Sequence, residues 1–186
     1  WESVAGSRSA AMTWRAAYLR LTYGTGEYRA YETLVQESAA QVGLPSRMAA
    51  ALTERWDELP PWPEVGTTLA RLAGSYRLAL VTNCSEALAK RAADRVGGAM
   101  VLVSAERAGF YKPHETPYRM ALAELGTSPE RTLFVAGSPF DILGASRVGM
   151  DVFWHNQIGM TRPDGIPAPL GESRDVAGLI RFLAAA

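Results

Sequence analysis

Between residues 10 and 23 the apolar positions Trp14, Ala17, Tyr18 and Leu21 fall at spacings of three, one and three, which is one face of an amphipathic helix. Gly24 and Gly26 are expected to interrupt it. A second helix is predicted over 28–42, with Tyr31, Leu34, Val35, Ser38 and Ala39 on one side and Gly43 in the C-cap position. A third begins after Ser46 as N-cap and carries Met48, Leu52 and Trp56. The run Leu59-Pro60-Pro61-Trp62-Pro63 cannot continue a helix and reads as a stiff boundary. Beyond it the pattern alternates. Helices are predicted at 64–73, 86–96, 116–125, 142–148 and 176–184, and short apolar strands at 77–81, 100–104, 132–136 and 151–155. Short apolar strands separated by helices imply a parallel sheet covered on both faces. The expected fold class is therefore α/β, with a mainly helical region over 1–62 and a parallel-sheet core over 63–186.

Composition narrows the function. The 186 residues are 48% hydrophobic and 20% charged, a globular balance. Nineteen basic residues match nineteen acidic ones, which argues against nucleic acid or an anionic membrane as partner. A single cysteine, Cys84, excludes an internal disulfide and a multi-cysteine metal site and suits a reducing compartment. With no apolar run of roughly 18 residues and no charged-then-apolar leader, the expectation is a soluble, cytoplasmic protein. Seventeen of the nineteen basic residues are arginine, and only Lys90 and Lys112 are lysine. In so arginine-biased a chain, a retained lysine hints that the ammonium itself matters.

Ligands of such sheets bind beyond the carboxyl ends of the strands, and three predicted strand ends are polar. The first runs into Thr82-Asn83-Cys84-Ser85, a hydroxyl and an amide at a helix start, able to cradle an anion or simply to cap that helix. The second carries Phe110-Tyr111-Lys112-Pro113-His114, a lysine in a proline-stiffened loop. His114 has no acid partner in sequence and is expected to be exposed. The third, Ala136-Gly137-Ser138-Pro139-Phe140-Asp141, delivers a carboxylate onto the first turn of a helix, where an acid is favourable in any case.

The order and spacing of these three segments strongly resemble the second, third and fourth motifs of the haloacid dehalogenase-like hydrolases, and within them the 2-haloacid dehalogenase branch. Trp14-Arg15 with Tyr18-Leu19 is similar to the opening of that branch's helical cap, and Trp56, Leu59, Pro60 and Pro63-Glu64-Val65 to the return to the core. Tyr118, six residues beyond Lys112, matches an active-site tyrosine. Trp154-His155-Asn156-Gln157 resembles a Trp-x-Asn-Arg segment with glutamine for arginine. The resemblance implies a Rossmann-like core with a helical cap, a homodimer, and hydrolysis of a small anionic 2-haloacid through an aspartyl ester. It places Arg15 at the substrate end, Thr82 and Asn83 on the substrate carboxylate, Lys112 beside the nucleophile, Asp141 with Ser138 on the hydrolytic water, and Tyr118 in the pocket wall.

The fourth motif separates two chemistries. Phosphatases of the superfamily resemble Gly-Asp-x-x-x-Asp there, with both carboxylates on Mg²⁺. Here Gly137 stands four residues before Asp141, so a metal-independent reaction with no cofactor is expected over a Mg²⁺-dependent phosphatase. The dehalogenases usually show Ser-Ser-Asn-x-x-Asp, against which Ala136 and Ser138 are departures. The first motif, Asp-x-x-x-Thr on the first strand, is absent, since the first aspartate is Asp57 in the cap return. In the superfamily that strand lies mid-sheet, between those ending at Thr82 and Ala136. The expectation is a central strand missing from these residues and present upstream in a longer natural protein, the alternative being a nucleophile-less binding domain.

Overall fold

The computed structural model describes residues 1–97 and 100–185, so residues 98, 99 and 186 of the predicted core region lie outside the description. A short helix α1 (Glu2–Ala5) precedes α2 (Arg8–Thr25), α3 (Tyr31–Gln41) and α4 (Ser46–Glu54). The five α3 residues that the spacing put on one face are the five buried ones. Gly24 does not interrupt α2, which runs on to Thr25 and stops at Gly26, whose φ of 77° suits glycine. Helix α3 starts three residues later than predicted because the chain is first pinned to the core. Glu27 bridges Phe110, and Tyr28 N–H donates to the Gly109 carbonyl at 2.8 Å.

After a 3₁₀ turn at Trp56–Glu58 come α5 (Val65–Ala73), β1 (Ala79–Thr82), α6 (Glu86–Val96), β2 (Val101–Ser104) and the short α7 (Ala105–Ala108). There follow α8 (Glu115–Leu125), β3 (Leu133–Ala136), α9 (Pro139–Arg147), β4 (Asp151–His155), β5 (Gly171–Ser173) and α10 (Val176–Ala185). All strand pairs are parallel. The strands form two sheets, β1-β2 and β3-β4-β5. The N-terminal helices pack onto the strand-bearing region: Trp14, Tyr31, Val35 and Leu52 share one apolar cluster with Cys84, Leu88 and Ala89 of α6 and its approach. No helix among the described residues is long and apolar enough to cross a membrane.

Between the two sheets lies the feature that governs everything else. The edges of β1 and β3 not paired to a neighbour line one cleft of about 510 Å³, through Leu80, Val81 and Thr82 on one side and Leu133, Phe134 and Val135 on the other. Val135, in the middle of an apolar strand, is 43% exposed. Open strand edges leave backbone donors and acceptors without partners, and such edges are normally paired or covered. The sequence-level expectation of a central strand missing between Thr82 and Ala136 corresponds to this cleft.

Candidate active site

Four chain segments converge on the carboxyl end of the cleft. Lys112, 6% exposed, hangs from the loop after α7 and reaches back across the end of β1. Its Nζ donates to the Val81 carbonyl at 2.9 Å and lies 3.1 Å from Asp141 Oδ1. Of the three ammonium donors, two are thus committed. The Phe134 ring centroid sits 5.6 Å from Nζ and screens it from water. Asp141, 4% exposed, is held in the first turn of α9 at the end of β3. A buried carboxylate and a buried ammonium are tolerated only as a hydrogen-bonded pair.

Asn83 supports this arrangement from below. Its Nδ2 donates to the Lys112 carbonyl at 3.1 Å and its Oδ1 accepts from Lys112 N–H at 2.8 Å. Both polar ends of the amide are therefore spent on the Lys112 backbone, and Asn83 acts as a strut for the lysine. Thr82 Oγ1 lies 3.4 Å from Cys84 Sγ. Burial pushes the Cys84 thiol up to about 11. Ser138 precedes α9, and its Oγ is buried without a hydrogen-bond partner among the described residues. Tyr118 is fully buried behind Asp141, with its hydroxyl donating to the Asp141 carbonyl at 3.3 Å. Its ring occupies the space a side chain at Gly144 would need, since an added Cβ there would lie 2.7 Å from Cε2.

Helix α2 contributes Arg15 and Tyr23. Arg15 is half-buried, and its one hydrogen bond among the described residues is to Met160 Sδ at 3.7 Å. Burial pulls its guanidinium below the ordinary value, with the neighbouring Tyr23 and Tyr18 phenols opposing that shift. A desolvated cation with no carboxylate partner is a natural seat for an anion. Met160 is presented by a loop that Asn156 staples, donating to the Met160 carbonyl at 2.9 Å and to Glu172 Oε1 at 2.8 Å. Tyr23, which the sequence pattern did not single out, donates its hydroxyl to Asp141 Oδ1 at 2.8 Å. Its partner lies 118 residues away, so no local spacing could have flagged it. His114 is exposed, stacks on Phe110 and stays outside the cluster.

The sequence profile of haloacid dehalogenase-like hydrolases matches residues 3–149, spanning both the cap helices and the three polar strand ends. The chain belongs to the haloacid dehalogenase-like hydrolase family. Within the family it is 36% identical over 115 residues to haloacetate dehalogenase H-2 of Moraxella sp. (strain B), over 60% of this chain and 51% of that protein. It thus spans about half the length of that relative. It is 26% identical over 183 residues to (S)-2-haloacid dehalogenase H-109 of Pseudomonas putida, over 91% of this chain and 82% of that one. The fold matches the L-2-haloacid dehalogenase of Xanthobacter autotrophicus, solved with chloropropionic acid covalently bound, at a TM-score of 0.80 and 20% identity. That match covers 98% of this chain and 92% of the other. Both of these sequence relatives carry dehalogenase names.

Proposed function

We propose that the complete protein hydrolyses a small 2-haloacid to a 2-hydroxy acid, without a metal, through an ester on an aspartate carried by a strand that fills the cleft between β1 and β3. The observation that carries this reading is the buried Lys112 ammonium at the carboxyl end of the cleft, with one donor uncommitted where such an aspartate would arrive. Residues 1–62 act as the cap and 63–186 as the hydrolase core.

In the first step the strand's carboxylate attacks C2 of the substrate, a C–O bond forms, the C–halogen bond breaks and halide leaves. Lys112 holds the nucleophile in place, and Arg15 receives the substrate's carboxylate or the departing halide. In the second step Asp141 accepts a proton from water as its oxygen bonds to the ester carbonyl carbon. Collapse breaks the bond to the substrate oxygen, which takes that proton and departs as the 2-hydroxy acid. The regenerated aspartic acid loses its own proton to solvent. The Ser138 hydroxyl, buried beside the Tyr23 phenol, would help to hold the water. Asn83 serves here by fixing Lys112, a different role from the substrate contact that the resemblance implies.

The donor set disfavours a Mg²⁺-dependent phosphatase. Gly137 supplies no carboxylate, and Asp141 already faces an ammonium 3.1 Å away. Halide release from 2-chloropropionate, with and without EDTA, tests the reading. Release that survives EDTA supports it, EDTA-sensitive phosphate release would replace it with a phosphatase, and neither activity would favour a binding domain.

A further inference from the structure

Asp141 Oδ1 is doubly loaded, and the rest of the site does not explain why. It takes the Lys112 ammonium at 3.1 Å and the Tyr23 hydroxyl at 2.8 Å, whereas Oδ2 has no hydrogen bond among the described residues in a side chain that borders the cleft. Lysine alone would fix this orientation less well, because an ammonium offers three equivalent donors with no single direction. A phenol donates one hydrogen in one direction from a rigid ring. The Tyr23 ring is itself held against Phe140, with centroids 5.2 Å apart. Burial first, and then the Asp141 charge, keep the Tyr23 phenol well above its ordinary value, so it is a permanent donor at neutral pH.

We propose that Tyr23 is a positioning residue for the second chemical step: it pins Oδ1 so that Oδ2 is the atom that takes the proton from the hydrolytic water. The proposal rests on the functional reading above and adds to it a cap residue and an atom. Asp141 returns the same proton from Oδ2 to the departing alkoxide, so no further co-reactant is needed. A base whose reacting oxygen is misaimed loses rate in proton transfer.

Tyr23→Phe keeps the ring and removes only the hydroxyl. In the complete protein with 2-chloropropionate, halide release in a single turnover follows ester formation, and intact mass of quenched samples follows ester decay. Decay is expected to slow about tenfold while formation changes by no more than about twofold, so the adduct accumulates and KM falls with it. Phe140→Leu loosens the ring's packing but keeps the hydroxyl, and is expected to give less accumulation than Tyr23→Phe. Equal slowing of both steps in Tyr23→Phe, a rise in KM alone, or equal accumulation in Phe140→Leu would overturn the positioning role. If the unsubstituted protein yields neither halide nor adduct, the functional reading itself fails, and the two failures are told apart by that control.

Discussion

Lys112 and Asp141 form the buried ion pair on which the site depends, and its loss from one side has a calculable cost. Their side chains are 7% and 5% exposed, so neither charge can recover its hydration if the partner is removed. Lys112→Met preserves the stem, leaves Asp141 with the Tyr23 hydroxyl alone, and strands the Val81 carbonyl. Breaking a buried pair in this way costs about 3–5 kcal/mol. For a chain of this size that is a fall in Tm of roughly 6–20 °C. Asp141→Leu should cost a similar amount by the same argument. The double variant removes both charges, and its remaining penalty is the unpartnered Tyr23 hydroxyl and Val81 carbonyl, about 1–3 kcal/mol. Urea denaturation of all four proteins closes the cycle, with an expected coupling of about 6 kcal/mol and no less than about 3 kcal/mol. Single variants that each cost under about 1 kcal/mol, or costs that simply add, would refute the claim that the two charges are held as a desolvated pair.

The other expectations concern the shell around that pair. Gly144→Ala drives a Cβ to within 2.8 Å of the Tyr118 ring and should cost about 1–3 kcal/mol in thermal melts. Arg15→Met should raise KM for 2-chloropropionate about tenfold or more, with stability unchanged or slightly higher because burial disfavours the charged guanidinium. A Cys84 thiol at about 11 leaves a thiolate fraction on the order of one in a thousand at pH 8, so a disulfide reagent should label the native protein far more slowly than the unfolded one. The same upward shift means that the folded state binds the proton more tightly than the unfolded state. Its stabilising contribution is present below pH 9.0 and lost as pH rises toward about 11, which alkaline denaturation of the wild type and Cys84→Ser would compare.

Elements with a strong period were legible in the sequence. The buried face of α3 and the bounds of α6 and β4 follow directly from spacing. Gly24 misled because a helix tolerates one glycine when its neighbours are packed, as Thr22 and Tyr23 are here. Strand β5 was not foreseen, since Gly171-Glu172-Ser173 has no apolar alternation and exists because β4 pairs with it. Its glycine is needed where Phe153 and Phe182 pass, as an added Cβ would lie 2.9 Å from Phe182. Lys112, Asp141 and Ser138 were singled out by their order along the chain; the fold brings Lys112 and Asp141 to one end of the cleft and puts Ser138 just before the helix that carries Asp141. Asn83 has its polar atoms turned to the lysine backbone, a use that depends on a loop 29 residues away and leaves no local pattern.

The central claim is that a strand carrying a carboxylate completes the cleft and is alkylated during turnover. Intact mass of the natural protein, quenched in the presence of 2-chloropropionate and EDTA and followed by peptide mapping, tests it most directly. The account predicts a mass increase of one propionate unit on an aspartate outside residues 1–186, next to Lys112 in the folded protein, and no adduct when residues 1–186 are tested alone. Halide release with no adduct, or an adduct on a residue within 1–186, would contradict it.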